Sequence, residues 1–407
     1  MKTYAVFGLG KSGAATVNYL KNRGDKVLAW DDGEAARSGI ECIDPAKWNW
    51  SEIDALVLSP GIPLTHPEPH YIVRKAHAAS KPIICDIEIL WEDNSNATFI
   101  GITGTNGKST TTALIAHILQ EAGYDVAVGG NLGTPALTLG SHKYYVIETS
   151  SYQLDLIERT KFDVAVWLNI SPDHIDRHGS LEGYIKAKLR IFRNGNKVAI
   201  IGIDDEYSKG VSKQVPNALP ITKHNSIGTF PNLPGVHNMQ NINAAYEAAK
   251  AVGVPHEKIM SAIQSFPGLE HRIEKVATIN GVAYVNDSKA TNADSSAMAL
   301  ACYEDIYWII GGKAKEGGIE SLADFFPRIK KAYLIGAATE EFAKTLEGKV
   351  AFEKCGDLVT ATKKAANDAK SGVVLLSPAC ASFDQFKNFE ERGNKFKQIV
   401  KELQNAS

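Results

Sequence analysis

A glycine-rich loop is followed by a lysine and a serine in residues 98–112, which read TFIGITGTNGKSTTT. A short apolar run precedes the loop, and leucine and isoleucine recur with helical spacing after it. Glycines let backbone N–H groups turn toward phosphate oxygens, and a helix N-terminus adds a positive dipole. We predict that this loop binds a nucleotide phosphate, with Lys108 at the terminal phosphates and Ser109 on Mg²⁺. A glycine turn before an ordinary helix is the alternative, because Ile102 stands where the full pattern has its first glycine.

Two further strand ends carry groups that could complete such a site. Glu148 follows the apolar residues 144–147, where an NTPase holds its metal directly or through water. An exposed surface carboxylate is the alternative. His174 and His178 follow another apolar run, but Pro172 and Gly179 argue against the sustained helix that a zinc pair would need.

Lys188 lies near the middle of the apolar face of a helix predicted over residues 183–193. Lysine is rarely buried unless it is paired, and a buried lysine loses its proton readily and becomes a nucleophile. Lys188 could stay charged beside Glu148, or react with CO₂ to give a carbamate that binds metal. The alternative is that its stem crosses the apolar face and its amine reaches water.

Asn238 and Asn241 are three residues apart at the start of an alanine-rich helix, so both can point the same way. They could bind an adenine edge or cap the helix.

The N-terminal region carries G-x-G-x-x-G in residues 8–13, between a predicted strand and a predicted helix. Asp31 and Asp32 follow about twenty residues later, as in a dinucleotide-binding unit. Alone this pattern favours NAD, but any ligand with a pyrophosphate could use the same turn, and the aspartates could be a solvated strand end. Gly61 lies in a turn after another strand, at the sheet edge where ligands of α/β proteins bind.

Strands and helices alternate along the whole chain, which predicts an α/β fold. Pro267 and Gly268 mark a domain boundary, and a second Rossmann-like unit follows it. Its strand ends gather lysines and hydroxyls, which suits an anionic substrate that bears carboxylates. Cys380 is read as structural, because no histidine pattern accompanies it.

Length and composition agree with a multidomain enzyme. The 407 residues suggest two or three domains, and a net charge of -2 without a basic block gives no indication of nucleic acid or an anionic membrane. The five cysteines are scattered without C-x-x-C, which favours a reducing cytoplasm. The first residues are read as a strand and not a signal peptide, and no apolar run is long enough to span a bilayer.

Together, the motifs GTNGKST, ETSSYQL, DHIDRH, KAKLRIF, GVHNMQN, EHRIE, NDSKATN, GGKAK and LLSPACASFDQFKNFEERG resemble the Mur ligases over nearly the whole chain. The resemblance implies an α/β fold of three domains. Residues 1–86 would form a Rossmann-like domain for the UDP substrate, residues 87–268 a P-loop-type ATPase domain, and residues 269–407 a Rossmann-like domain for an amino acid. It favours UDP over NAD at residues 8–13.

The resemblance also implies an activity. ATP would phosphorylate the terminal carboxylate of UDP-N-acetylmuramoyl-L-alanine, and the amine of D-glutamate would attack the acyl phosphate, in peptidoglycan precursor synthesis. ATP, two Mg²⁺ ions and a CO₂-derived carbamate on Lys188 would take part. We expect a cytoplasmic monomer that binds neither nucleic acid nor membrane.

The roles of individual residues are carried over by motif. The catalytic residues would be Lys108, His174 and Lys188. ATP would contact Gly104, Thr105, Asn106, Gly107, Lys108, Ser109, Thr110, Asn238, Asn241, Arg272 and Asp287. Mg²⁺ would be held by Ser109, Glu148, His174 and the carbamate of Lys188. The UDP substrate would contact Gly10, Lys11, Ser12, Asp31, Gly61, Asn131, Ser150 and Gln153, and D-glutamate would contact Lys289, Thr291, Lys315, Ser382 and Phe389. Some members have Thr-Arg after the first aspartate, where this chain has Asp32-Gly33.

The sequence leaves three alternative functions open. The first is another Mur-type or a folylpolyglutamate-type ligase with a different acceptor. The second is an NAD-dependent oxidoreductase, which leaves Lys108, Glu148 and Lys188 without a role. The third is a non-catalytic ATP switch, which does not need the lysines near Lys289.

Overall fold

The computed structural model of the chain describes residues 1–131, 133–314 and 317–405. Its strands form three separate sheets, and the chain divides into two compact units. The first unit comprises Met1–Gly228 and Asn238–Ser265, and the second comprises Thr229–His237 and Phe266–Ser407.

The first sheet is parallel and consists of short runs of buried aliphatic residues. Its strands are β1 (Thr3–Phe7), β2 (Lys26–Trp30), β3 (Ala55–Leu58) and β4 (Ile83–Ile84), with helices α1 (Lys11–Asn22) and α2 (Tyr71–Ala78). The strand order is β2-β1-β3-β4. Since all pairs are parallel, the turns after β1 and β3 meet at one edge.

The second sheet of the first unit is also parallel throughout. Its strands are β5 (Thr98–Thr103), β6 (Val126–Gly130), β7 (Tyr144–Glu148), β8 (Val164–Trp167), β9 (Val198–Gly202) and β10 (Ala218–Ile221). Its helices are α3 (Asp86–Asp93), α4 (Lys108–Glu121), α5 (Ser151–Leu154), α6 (Ile175–His178), α7 (Leu181–Leu189), α8 (Glu206–Gln214), α9 (Val236–Ala251) and α10 (His256–Ser265). The order β10-β9-β8-β5-β7-β6 places β5 between β8 and β7, so the ends of these three strands share one edge.

The predicted helix over residues 183–193 differs in its bounds. The α-helix α7 starts earlier, because the Ser180 side chain accepts a hydrogen bond from the Gly183 N–H at 3.1 Å. It ends at Leu189, and a 3₁₀ turn, Arg190–Phe192, follows. Helix ends commonly tighten in this way.

The third sheet forms the core of the second unit. Its strands are β11 (Glu274–Ile279), β12 (Val282–Asn286), β13 (Ile306–Gly311), β14 (Ile329–Ile335), β15 (Phe352–Gly356) and β16 (Val373–Leu376). Its helices are α11 (Ala293–Leu300), α12 (Thr339–Leu346), α13 (Leu358–Asp368) and α14 (Phe389–Asn405). In the order β11-β12-β16-β13-β14-β15, only β11 is antiparallel. The ends of β12, β16 and β13 are therefore neighbours.

These sheets confirm the predicted fold class, an α/β protein with Rossmann-like parallel sheets. The domain limits at residues 86 and 268 stay a prediction. Among the described residues, no helix is long and apolar enough to cross a membrane.

Candidate active site

The loop between β5 and α4 has a backbone that requires glycine. Gly104 has φ +151° and Gly107 has φ +84°. A Cβ atom on Gly107 would lie 2.2 Å from Oδ1 of Asn241. Ser109 and Thr110 lie in the first turn of α4, which contains no acidic residue. The loop therefore turns sharply into the positive end of a 14-residue helix, a geometry suited to phosphate.

Asn169, at the end of β8, holds this loop in place. Its backbone carbonyl accepts from the Thr105 N–H at 2.9 Å, and its Oδ1 accepts from the Asn106 N–H at 2.8 Å. Its Nδ2 donates to Gln240 at 3.1 Å. The sequence indicated only a polar strand end here, and assigned Asn169 no role.

Lys108 and Lys188 meet at one carbonyl of the loop. Lys108 Nζ donates to the carbonyls of Gly104 at 3.0 Å and Thr105 at 2.9 Å. Lys188 Nζ donates to the same Gly104 carbonyl at 2.9 Å and to Thr103 Oγ1 at 3.2 Å. Both amines therefore lie close together at the end of β5.

Lys188 is only 1% exposed, which confirms the predicted burial. Burial lowers its pKa well below the ordinary value, and the charge of Lys108 lowers it further. Asp173 and Glu148 oppose this shift without reversing it. Burial at this position therefore disfavours the charged form of the amine.

Glu148 ends β7, directly beside the end of β5, and is 2% exposed. Its Oε1 accepts from Asn131 Nδ2 at 2.6 Å. Its Oε2 is buried and has no hydrogen-bond partner among the described residues. A buried carboxylate oxygen left without a donor is a position that a cation would satisfy.

His174 directly precedes the short helix α6, His178 is its last residue, and the two differ in environment. His174 is exposed and left-handed, with φ +53°, and its Nε2 lies 3.4 Å from Asp173 Oδ2. His178 is buried, its Nε2 lies 2.9 Å from Ser151 Oγ, and its ring stacks on Tyr152. Burial, assisted by the charge of His174, lowers the pKa of His178 to about 4. Within the described ranges, no group of three or more His, Cys, Asp or Glu side chains could hold a metal by itself.

Asn238 and Asn241 lie in the first turns of α9, and both are buried. Asn241 Nδ2 donates to Asn238 Oδ1 at 3.0 Å, and its Oδ1 accepts from Thr111 Oγ1 at 3.2 Å. The pair therefore ties α9 to α4, next to the glycine loop. Contact with adenine stays a prediction.

Asp31 organises the glycine turn of the first sheet. Its carboxylate oxygens accept from the backbone N–H groups of Leu9 at 2.6 Å and Gly33 at 2.7 Å. Ser59 Oγ donates to the Gly8 carbonyl at 2.6 Å, which joins the turns after β1 and β3.

The other predicted UDP contacts of this sheet lie at the same edge. Gly10 precedes α1, and Lys11 and Ser12 form its first turn. Gly61 lies in the turn after β3, which is beside β1. The structure thus brings these residues together, and the ligand stays a prediction.

Ser150 and Gln153 form a capping box at the start of α5. Ser150 Oγ accepts from the Gln153 N–H at 3.2 Å, and Gln153 Oε1 accepts from the Ser150 N–H at 3.1 Å. Both side chains therefore have a structural role beside Glu148, in addition to the predicted contact with substrate.

In the second unit, Asp287 lies at the end of β12 and is 4% exposed. Its oxygens accept from Ser377 Oγ at 2.8 Å and from the Ile273 N–H at 3.1 Å. Burial raises the pKa of Asp287 to about 7, although Ser377 and Arg272 oppose the shift. The Nε of Arg272 is buried without a partner among the described residues.

Four of the five predicted D-glutamate residues have defined surroundings. Lys289 Nζ lies 5.6 Å from the centre of the Phe389 ring, close enough for a cation–π contact. Ser382 is buried after β16, and Thr291 is half-buried after β12. The prediction for Lys315 falls outside the described residues.

Arg392, on α14, was not predicted from the sequence. It is 1% exposed and donates to Ser288 Oγ at 3.0 Å, the Ser288 carbonyl at 2.8 Å and the Cys380 carbonyl at 3.0 Å. It therefore links the loops that carry Lys289 and Ser382. Burial raises the pKa of the Cys380 thiol to about 12, as expected of a structural cysteine.

Two family models match the chain. Residues 102–231 match the Mur ligase middle domain, and residues 271–380 match the model described as Mur ligase, glutamate ligase domain. The chain is 48% identical to the UDP-N-acetylmuramoylalanine–D-glutamate ligase of Paramagnetospirillum magneticum, with 98% of this chain and 96% of that protein covered. It is 46% identical to the protein of the same name from a Caulobacter species, with 99% and 96% covered.

Two solved structures are similar at lower identity. The UDP-N-acetylmuramate-alanine ligase MurC from Thermotoga maritima has 18% identity and a TM-score of 0.61, with both chains covered to 100%. The MurF ligase from Thermotoga maritima in complex with ADP has 17% identity and a TM-score of 0.62, with 98% of this chain and 95% of that chain covered. At this identity they support the fold.

Proposed function

The chain belongs to the Mur ligase family, and we propose that it is the ATP-dependent ligase that joins D-glutamate to UDP-N-acetylmuramoyl-L-alanine. Full-length relatives at 46–48% identity carry the name of that ligase. The structural observation that carries the proposal is the buried, half-satisfied carboxylate of Glu148 beside the loop that begins α4. A buried anion, two lysines and a glycine loop at one sheet edge suit phosphoryl transfer.

The ATP phosphates would lie on the N–H groups of the loop and of the first turn of α4. Lys108 Nζ already lies over this loop. It would neutralise charge as the γ-phosphoryl group passes to the substrate carboxylate and ADP leaves. Charge neutralisation and alignment supply most of the catalysis in this class of reaction.

The acceptor would span the two sheets of the first unit. Its diphosphate would bind the turn of residues 8–13, and its carboxyl end would reach the site near Glu148 and His174. The amine of D-glutamate, bound by Lys289, Thr291, Lys315, Ser382 and Phe389, would then attack the acyl carbon and release phosphate. The cationic side chains in that set match the two carboxylates of the amino acid.

The residues present fit Mg²⁺ and a lysine carbamate. Ser109, Glu148, His174 and a carbamate on Lys188 would hold two Mg²⁺ ions, which neutralise phosphate charge when bound. The unpartnered Oε2 of Glu148 supports a cation, and Mg²⁺ commonly takes one or two carboxylates with water and phosphate completing its shell. The lowered pKa of Lys188 supports carbamate formation, since a neutral amine is the form that adds CO₂. We also propose that the protein works as a cytoplasmic monomer.

The test is phosphate release from ATP with UDP-N-acetylmuramoyl-L-alanine and a set of amino acids. We expect release that depends on both the UDP substrate and D-glutamate, with L-glutamate as the matched control. Release with L-lysine, diaminopimelate or a folate instead would transfer the protein to another ligase class. Reduction of NAD without phosphate release would overturn the proposal.

A further inference from the structure

Arg177, on α6, bridges the two sheets of the first unit. Its Nη2 donates to the carbonyls of Pro60 at 3.2 Å and Ile62 at 3.1 Å, and its Nη1 donates to that of Gly61 at 3.3 Å. These three carbonyls form the turn after β3, in the first sheet, whereas α6 belongs to the second. One guanidinium therefore holds a complete turn of the neighbouring sheet.

The charge of Arg177 is directed to backbone dipoles. Among the described residues, no carboxylate oxygen lies within salt-bridge distance of it, and its Nε is buried without a hydrogen-bond partner. An arginine that only increased solubility or formed a surface ion pair would not donate to three backbone carbonyls of another segment. Three converging carbonyls match the fixed fork of a guanidinium and not the point charge of an ammonium.

Each end of this bridge leads to one of the proposed sites. On the first sheet, Ser59 of the same turn donates to the Gly8 carbonyl at 2.6 Å, so the turn is fixed to the G-x-G-x-x-G segment. On the second sheet, the Arg177 guanidinium lies 4.5 Å from the centre of the Tyr152 ring. The Tyr152 ring centre is in turn 5.0 Å from that of His174.

Steric contact reinforces the bridge. Gly179, which ends α6, has φ +75°, and a Cβ atom there would lie 2.4 Å from Nε2 of His66. His66 belongs to the segment that follows the turn after β3. The segments beside the two sheets are therefore in close contact at Gly179 as well as at Arg177.

We infer that Arg177 is a positioning residue that sets the distance between the diphosphate-binding turn of the first sheet and the carboxylate-activating site of the second. The inference rests on the proposed function, because a single substrate must reach both sites. Each site is built locally, so losing Arg177 leaves binding of ATP intact. The loss of Arg177 displaces the substrate carboxylate relative to the glycine loop. A displacement of about 1 Å can lower the rate by about a hundredfold.

Arg177→Met is the test, and Arg190→Met is its matched control. Arg190 also donates to a backbone carbonyl, that of Ile157, at 2.7 and 3.2 Å, and it pairs with Glu158 at 2.6 Å. These contacts stay among the segments that surround the second sheet and do not reach the first sheet. We expect Arg177→Met to lower kcat by about ten- to a hundredfold while the KM for ATP changes by less than about threefold. Arg190→Met should lower the melting temperature to a similar degree with kcat changed by less than about threefold.

Rescue distinguishes positioning from simple stability. Arg177→Lys should recover little of kcat, whereas Arg177→Ala should be partly restored by methylguanidinium and not by methylammonium. Equal kinetics for Arg177→Met and Arg190→Met would overturn the inference, and so would full recovery by lysine. If Arg177→Met does not fold, Arg177→Lys, which keeps the charge and the stem, decides the same question. Absence of D-glutamate-dependent phosphate release from the wild-type protein would instead contradict the proposed function.

Discussion

At the scale of single residues, the helical periodicity around Lys188 predicted a buried amine, and the structure places that amine on the glycine loop. We expect Lys188→Ala to lose most of the ligase activity, by about a hundredfold or more, because it removes a group at the proposed site of phosphoryl transfer. Partial recovery with short carboxylic acids would indicate that a carbamate is the working group. Phosphate release measured with and without acetate or formate checks both statements.

Lys186→Ala is the control for that experiment. Lys186 lies on the same helix two residues earlier and is exposed. An exposed charge contributes little to stability, so the variant should fold like the wild type. Its activity should therefore stay within about twofold of the wild-type value. If Lys188→Ala behaved like Lys186→Ala, Lys188 would have no part in the reaction.

Some functional residues could not be found from the chain alone. Lys188 was detectable because one lysine interrupts an apolar stripe. Asn169, Arg177 and Arg392 carry no such signal, because polar residues at strand ends and on short helices are ordinary. Their roles come from backbone N–H and carbonyl groups of other segments, which converge on them only after folding.

At the scale of elements, the glycine loop depends on close approach as well as on φ. Gly107 and Gly123 flank the same helix, α4, and both have φ +84°. A Cβ atom on Gly107 would meet Asn241, whereas Gly123 has open space around it. Comparing the two glycines therefore distinguishes the effect of backbone strain from that of steric contact at the glycine loop.

We expect Gly107→Ala to lower ATP-dependent phosphate release by about tenfold or more, because the loop must move to avoid Asn241. Gly123→Ala should keep that activity and lose only about 1 kcal/mol of stability, the cost of a left-handed alanine. Kinetics and urea unfolding of both variants test this. Equal loss of activity in the two variants would show that strain, and not the contact, matters.

The order of strands and helices was largely predictable, because apolar strands alternate with amphipathic helices and glycines mark the turns between them. The end of α7 and the antiparallel β11 were not, since helix tightening and strand direction depend on neighbours that the local pattern does not specify. The left-handed backbone of His174, directly before α6, was not predictable either, because no residue propensity indicates it.

At the scale of the whole molecule, burial of Asp287 makes the second unit sensitive to pH. Its pKa is about 7 in the folded state, and an unfolded aspartate titrates near pH 4. Between these values the folded state binds more protons than the unfolded state. The free energy of unfolding therefore declines as the pH rises through this interval.

We expect Asp287→Asn to remove that decline. The quantity to follow is the free energy of unfolding of the variant minus that of the wild type. This difference should rise by about 2–3 kcal/mol from about pH 5 to about pH 8. Calorimetry at both pH values measures the difference, and Asp294→Asn, an exposed aspartate on α11, is the control. A difference from the wild type that does not change with pH would contradict the assignment of a raised pKa.

The three-sheet architecture was predictable from the order of strands and helices and from the family motifs. The path of the chain between the two units was not. Residues 229–237 belong with the second unit, so the boundary passes through the first turn of α9. Whether a segment packs against the core of one unit or the other depends on tertiary contacts, and no local sequence pattern specifies it.

The membership of residues 229–237 in the second unit limits how the chain can be divided into fragments. Severing the chain once, before Phe266, would leave the segment of residues 229–237 on the wrong fragment, with its own partners removed. Two cuts, or a graft that restores the segment, would be needed to obtain either piece intact.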